Sequence, residues 1–332
     1  MATLTSKWPT LLDMARSMDP DGSIAAVAEL LNQTNEVLQD MMFLEGNLPT
    51  GHVVTVRTGL PAATWRRLYG GVQPDKSKRE QVTESCGFLE AYNEVDVALA
   101  DLNGNTSEFR LSEARATIEG MNQSLADTIF YGSTLANPER FEGLTNRYSS
   151  STAANGENII KAGGVGADNR SIWLVVWGPD SCFGIVPKAS KAGLTMQDKG
   201  QITIENVDGA GGRMEAYRTY FKMAAGLCLR DWRYVVRICN IDYSDLSATV
   251  ATGANLPTLM FQALTRVPSL ALGRAAFYSS RDVWAKFMQQ VAFLTASSTL
   301  QAENVGGQLI TTWHGIPLRR VDRLAVDEAL VP

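Results

Sequence analysis

Residues 112–132 read SEARATIEGMNQSLADTIFYG and predict a long helix. Ser112 can cap its first turn, because the hydroxyl oxygen can accept a hydrogen bond from a free backbone N–H. Apolar side chains recur every three or four residues, which is the spacing of one helix face: Ala114, Ile118, Met121, Leu125 and Ile129. Internal Gly120 indicates a close backbone contact, and Gly132 is expected to end the helix in the left-handed conformation. We expect a strut whose apolar stripe packs against a sheet or another helix.

The composition is that of a globular protein with a large core. The chain has 332 residues, of which 45% are hydrophobic and 20% are charged, and its formal net charge is −5. An acidic balance argues against a free-standing nucleic-acid binder, since phosphate affinity comes mainly from clustered Lys and Arg. No apolar run reaches membrane-spanning length. We therefore expect no membrane partner.

The rest of the chain mixes helices and strands without a regular βα alternation. Residues 1–45 hold two short amphipathic segments and predict an arm that packs on something other than itself. The apolar run IWLVVW at 172–177 is typical of a strand buried on both faces. In residues 229–240 apolar and charged side chains alternate, which predicts a half-covered strand. These patterns favour the α+β class.

Residues 48–101 carry little apolar surface and a run of cations. VVTVR at 53–57 predicts a strand that Pro61 interrupts, and a polar, charged span follows at 72–82. The candidate contact residues are six cations and one aromatic: Arg57, Trp65, Arg66, Arg67, Lys76, Lys78 and Arg79. Two interpretations stay open. The segment is either a projecting hairpin on the acidic surface of a neighbouring subunit or a solvated loop.

No residue pattern indicates chemistry. His52 and His314 are the two histidines, and neither lies near a Ser or Cys nucleophile motif. The four cysteines form no Cys-x-x-Cys pair, and the glycine-rich stretches lack the phosphate-binding spacing. The sequence therefore predicts no catalytic residue, no cofactor-binding residue and no metal ligand, and it indicates an interaction protein, not an enzyme.

Several characteristic runs extend over most of the chain, in the following order: VRTGLP at 56–61, TWR at 64–66, EGMNQSLADTIFYG at 119–132, NPERFEGL at 137–144, SIWLVVWG at 171–178, GL at 226–227 and RDWRYV at 230–235. In this order the runs resemble the major capsid proteins of short-tailed bacteriophages, which are similar to the Hong Kong 97-type shell proteins.

That resemblance implies the domain organisation of the Hong Kong 97-like fold. It implies an N-terminal arm at 1–47, an extended loop hairpin at 48–101 and a peripheral domain at 102–240, which contains a sheet and the spine helix 112–132. An axial domain with the C-terminal strands would follow at 241–332. The cationic segment would then be the extended loop that lies over an adjacent subunit.

The implied function is that of a coat protein. It would self-assemble as pentamers and hexamers into the icosahedral head of a tailed bacteriophage and enclose double-stranded DNA without sequence-specific binding. Scaffolding, decoration and portal proteins are the implied partners; the virion is the implied location, with assembly in the host cytoplasm. Two alternatives stay open: an encapsulin-like nanocompartment shell, which would hold protein cargo, and a soluble glycan-modifying enzyme, which would need a deep acidic cleft.

Overall fold

The computed structural model describes residues 33–104, 106–206, 210–248, 252–293, 300–305 and 308–332. In these ranges the helices are α1 Val37–Asp40, α2 Val97–Ala100, α3 Thr106–Tyr131, α4 Leu144–Arg147, α5 Leu256–Arg266 and α6 Arg281–Phe293. The strands are β1 Phe43–Glu45, β2 Gly51–Gly59, β3 Lys78–Asp96, β4 Ile159–Lys161, β5 Asn169–Trp177, β6 Cys182–Val186, β7 Thr195–Glu205, β8 Arg213–Leu229, β9 Val235–Asp242, β10 Arg274–Ser279, β11 Leu300–Val305, β12 Gln308–Trp313 and β13 Ile316–Arg320.

The chain forms two compact units. In the described residues, unit A comprises Gln33, Phe88–Leu125 and Gly193–Met223, and unit B comprises Thr34–Gly87, Ala126–Ala192 and Ala224–Pro332. Both units contain helices and strands, which confirms the predicted α+β class. The N-terminal arm predicted at 1–45 lies mostly outside the described residues. No described helix is both long and apolar enough to cross a bilayer.

Strand β5 is the centre of unit B. Every residue from Asn169 to Trp177 is buried, as the apolar run predicts. It pairs antiparallel with β9 on one edge and with β10 on the other. Strand β10 continues in parallel to β13, and β13 pairs with β12. Helices α5 and α6 cover this sheet with the buried side chains of Met260, Ala263, Val283 and Phe287.

Strand β9 corrects the prediction of a half-covered strand. All eight residues from Val235 to Asp242 are buried, including Arg237. The guanidinium of Arg237 lies 2.8 Å from a carboxylate oxygen of Glu328 and donates a hydrogen bond of 2.8 Å to the Tyr148 carbonyl. A buried charge is tolerated only when it is paired and hydrogen-bonded. The partner is far along the chain, so the local alternation misled the prediction.

Unit A is built on the β7–β8 hairpin and the first part of α3. In the hairpin Met196 lies opposite Phe221, and Ile202 lies opposite Ala216. Phe221 packs with Ala114 and Met121 of the helix. The core of this unit is therefore a sheet face covered by one helix.

Helix α3 begins at Thr106, six residues before the predicted start. The Thr106 hydroxyl donates a hydrogen bond of 2.8 Å to Asp101, and Phe109 in the added turns is buried against Val95 and Leu99. Ser112 consequently lies inside the helix and does not cap it. Burial of Phe109 contributes on the order of 1.5–3 kcal/mol, enough to favour the longer helix.

Two further details of the predicted helix are corrected. Ile118 is 37% exposed, whereas Ala114, Met121 and Leu125 in the same stripe are buried as predicted. Gly120 makes no close contact, since apart from its two chain neighbours and the adjacent helix backbone no described atom lies within 4 Å of the position that a Cβ would take.

Gly132 ends the helix as predicted, but for a different reason. Its φ angle is not positive, so the left-handed conformation is not what requires glycine there. A Cβ at this position would collide with the carbonyl oxygens of Phe141 and Thr128. The glycine is needed because the chain returns close to the helix end, where the Gly143 N–H donates to the Gly132 carbonyl at 2.9 Å.

Candidate assembly hairpin

Strands β2 and β3 form a long antiparallel hairpin in the segment that contains the candidate contact residues. Val54 pairs with Val82 and Val56 with Glu80, and a bulge follows between Arg57 and Gly59. The β-branched run VVTV favours the extended backbone. The polar, charged span at 72–82 is part strand, because β3 begins at Lys78.

The far half of this hairpin is almost completely exposed. Residues 60–83 are all exposed except Gly70 and Ser77, which are half-buried. The apolar side chains of the connecting loop are exposed to an unusual degree: Trp65 by 104%, Tyr69 by 105%, Leu68 by 84% and Leu60 by 79%. Large apolar side chains that cluster on a surface mark interaction sites.

The connecting loop is nevertheless ordered by local hydrogen bonds. The carboxylate of Asp75 accepts from the N–H groups of Ala62 at 2.7 Å and Lys76 at 2.8 Å. These backbone bonds lower the pKa of Asp75. A turn closes between Arg67 and Gly70, with a hydrogen bond of 3.0 Å and Tyr69 at a φ of 63°. Such a conformation is uncommon for a bulky side chain, and it leaves the ring of Tyr69 in solvent.

All seven predicted contact residues lie in the exposed part of the hairpin. Arg57, Lys78 and Arg79 lie in the paired strands, and the connecting loop holds the other four, Trp65, Arg66, Arg67 and Lys76. Within the described residues none of the six cations forms an ion pair. Arg57 lies directly opposite Arg79, and like charges in that position destabilise an isolated hairpin.

An open groove lies along the outer edge of β2. It has a volume of about 760 Å³ and is lined by residues 55–60, Ala154, Asp180 and residues 230–233. Arg230 pairs with Asp180 at 2.7 Å, and Arg233 pairs with Asp231 at 2.7 Å. Arg57 adds a further cation, so three arginines and two aspartates give the groove one net positive charge. Nothing in the sequence pattern around 230–233 indicated that this turn faces β2.

Asp231 and Arg233 shift each other's pKa. Burial raises the pKa of Asp231, but the hydrogen bonds from Arg233 outweigh burial and hold that pKa below its usual value. The same bonds raise the pKa of Arg233. Both groups are therefore ionised at neutral pH, and the groove keeps its charge.

The base of the hairpin is held by residues that the sequence analysis did not select. A Cβ at Gly51 would collide with the carbonyl oxygen of Glu84, so only glycine fits there. The Glu84 carboxylate is buried and binds both terminal nitrogens of Arg147, at 2.5 and 2.6 Å. Glu84 and Arg147 are far apart along the chain, and no motif links them.

The two histidines have packing roles. The ring of His52 meets the edge of Phe183 with a centroid distance of 5.8 Å. Burial, and then the charge of Arg230, lower its pKa. His314 packs against Trp313 with a centroid distance of 4.8 Å. In the described part of the chain no group of three or more His, Cys, Asp or Glu residues could hold a metal ion.

The chain matches the family described as major capsid protein GP7 over residues 19–332. Comparison with curated protein sequences finds no match. Among solved structures the chain is similar to a chain in the cryo-EM structure of bacteriophage epsilon15, with 33% identity and a TM-score of 0.79, covering 100% of both chains. It is also similar to the capsid of bacteriophage JBD30, with 7% identity, a TM-score of 0.50 and coverage of 89% and 92%.

A third similar structure is the SrpI encapsulin of Synechococcus elongatus, with 11% identity, a TM-score of 0.42 and coverage of 73% of this chain and 93% of the encapsulin. The family match and the epsilon15 structure confirm the resemblance seen in the sequence, and the JBD30 structure supports the fold. The chain therefore belongs to the major capsid protein GP7 family of tailed bacteriophages.

Proposed function

We propose that the chain assembles as pentamers and hexamers into an icosahedral phage head that encloses double-stranded DNA without sequence-specific contacts. Its role is structural and not enzymatic. Assembly takes place in the host cytoplasm, with portal, scaffolding and decoration proteins as partners. The extended loop at 48–101 works as an arm between subunits, beside an N-terminal arm at 1–47, a peripheral domain at 102–240 and an axial domain at 241–332.

One observation carries the role of the hairpin. Its exposed end combines unpaired cations with apolar side chains that fold against nothing in the described chain. An isolated subunit gains little from ordering such a segment, since ordering costs conformational entropy and buries no surface in return. A neighbouring copy with an acidic, partly apolar surface would supply both missing contacts. Many weak contacts of this kind add up to a stable shell.

A charge-reversal experiment tests this role. Arg66→Glu with Arg67→Glu changes two exposed residues, so the subunit should fold with unchanged circular dichroism. We expect few or no closed particles by negative-stain microscopy. The matched control is Lys188→Glu with Lys191→Glu, which makes the same charge change at two exposed lysines outside the hairpin and should leave the particle yield unchanged. Normal particles from the hairpin variant would contradict the proposal.

The contents of the particles test the rest of the proposed function. Particles recovered from infected cells should contain double-stranded DNA that nuclease digests only after the shell is disrupted. Particles that hold a defined protein cargo and no DNA would contradict a phage head.

A further inference from the structure

The exposed hairpin leaves the body of unit B at Glu84. Residues 78–83 of β3 are exposed, and Glu84 is the first buried residue that follows them, with a side-chain exposure of 7%. It lies opposite His52 in the β2–β3 ladder. Beyond this level β2 remains packed on the body through Val54, which is buried in a cluster with Phe183 and Ile185, whereas residues 78–83 of β3 and the connecting loop are exposed. Glu84 therefore marks the point from which β3 projects.

Two kinds of attachment meet at this point. The first is the backbone: the Cys86 N–H donates to the Thr50 carbonyl at 2.9 Å, and a Cβ at Gly226 would collide with the Ser85 carbonyl oxygen. These contacts fix where the strands lie in the sheet. Because side chains stand roughly perpendicular to a sheet, the Glu84 carboxylate adds a second attachment out of the sheet plane.

Arg147 binds the Glu84 carboxylate and also donates hydrogen bonds to two other parts of the chain. Its terminal nitrogens lie 2.5 and 2.6 Å from the two oxygens of Glu84. It also donates to the carbonyl oxygens of Glu142 at 3.2 Å and Leu227 at 3.4 Å. A forked pair of parallel bonds fixes direction as well as distance. The pair therefore ties β3 to the end of α4 and to β8.

Arg147 keeps its positive charge at neutral pH. Burial lowers the pKa of the Arg147 guanidinium, but its bonds to Glu84 outweigh burial and raise that pKa overall. The carbonyl of Arg147 is held in turn by the side chain of Asn155, which donates to it at 2.7 Å. The guanidinium is thus charged and its backbone is anchored.

On the basis of the proposed function, we infer that the ion pair between Glu84 and Arg147 is the joint that sets the angle of the hairpin, and that this angle decides whether subunits close into a shell. The six residue steps from Glu84 to Lys78 span roughly 20 Å of strand, so a tilt of about 10° at the joint would move the far end by roughly 3 Å. A displacement of that size breaks a hydrogen-bonded contact with a neighbour. Arg147 and Glu84 are positioning residues in this account.

The test separates hairpin position from subunit stability. Glu84→Gln keeps the shape and removes one charge, and Arg147→Lys keeps the charge and removes the fork. The control is Glu328→Gln, which breaks another buried pair of unit B, with Arg237, outside the hairpin. Amide hydrogen exchange of residues 51–59 and 78–83 is measured on free subunits at a temperature where every variant is folded. Particle shape is then scored by electron microscopy.

We expect both joint variants to exchange faster in the hairpin by roughly tenfold, since opening no longer breaks the full set of charge-assisted bonds, and to form open or irregular particles. The Glu328→Gln control should keep normal hairpin exchange and form closed particles. Unchanged hairpin exchange in both joint variants, or closed particles of normal shape despite faster exchange, would overturn the inference. So would an equal change in the control. If the unmutated chain formed no shells, the proposed function would fail instead, and the exchange measurement would still decide the joint.

Discussion

Arg57 and Arg79 lie directly opposite each other in the β2–β3 hairpin, with no acidic ion-pair partner for either in the described residues. Directly opposed residues of an antiparallel pair project to the same face. The isolated subunit therefore carries a repulsion that an acidic surface on a neighbour would remove.

Arg79→Glu separates folding from assembly. The change replaces a like-charge pair by an opposite-charge pair, so the free energy of unfolding of the subunit should rise by about 0.2–1 kcal/mol. The yield of closed particles should fall, because the neighbour now meets a carboxylate. Urea unfolding and particle counting measure the two effects, with Lys188→Glu as the control for charge. A subunit that loses stability while particle yield is kept would refute this explanation of the pair.

Trp65→Ser tests the apolar part of the loop. The Trp65 side chain is 104% exposed, so the free energy of unfolding should change by no more than about 0.5 kcal/mol. Particle yield should fall because a large apolar contact is lost. Leu135→Ser, at another residue that is 95% exposed, is the matched control and should assemble normally. Equal yields from the two variants would argue against a docking role for the loop.

Glu328→Gln should destabilise the subunit strongly. The pair with Arg237 is almost completely buried, with side-chain exposures of 2% and 5%. Removing one charge leaves the other buried and unpaired, which typically costs about 3–5 kcal/mol. Glu205→Gln breaks an exposed pair with Arg213, whose side chains are 71% and 69% exposed, and should cost no more than about 1 kcal/mol. Chemical unfolding of both variants checks this order, and equal losses would mean that burial does not decide the cost.

Acid should destabilise the free subunit. The hydrogen bond from Arg110 lowers the pKa of Asp198, and bonds from Arg233, which outweigh burial, lower that of Asp231. A carboxylate whose pKa is lower in the folded state than in the unfolded state stabilises the folded state at pH values above its unfolded pKa, about 3.9. This stabilisation is lost as the pH falls through the pKa of the folded state. Urea unfolding between pH 7 and pH 2.5 should therefore show falling stability below about pH 4.

The matched variant for this pH effect is Asp198→Asn with Asp231→Asn, which removes both titrating groups. Its stability should be lower at pH 7 and should depend less on pH below about 4. A pH dependence identical to that of the unmutated chain would assign the acid loss to other carboxylates.

Local sequence patterns predicted the elements that meet the same kind of neighbour along their whole length. The apolar run of β5 reads as a doubly buried strand because both of its faces meet apolar neighbours. The apolar stripe of α3 was predicted correctly at Met121 and Leu125. The helix start was missed because Phe109 is buried through packing with residues distant in sequence or outside the helix, namely Val95 of β3, α2 and Tyr217 of β8.

Features that depend on partners far along the chain could not be predicted from the local sequence. Arg237 is buried because Glu328 neutralises it, and the hairpin base depends on Arg147 reaching Glu84. Neither pair has a local signature. The candidate contact residues follow from charge and spacing in the sequence. These two criteria identify Arg66 and Arg67, but they give no indication that the ring of Tyr69 is exposed.

In the assembled shell a neighbouring subunit is expected to cover the exposed end of the hairpin. Hydroxyl-radical footprinting with mass spectrometry, applied to free subunits and to assembled particles, tests it at Trp65 and Tyr69. Both rings should be oxidised rapidly in the free subunit and be protected severalfold in the particle, while Leu135 outside the hairpin serves as the reference. Equal oxidation of the two rings in both states would contradict the account.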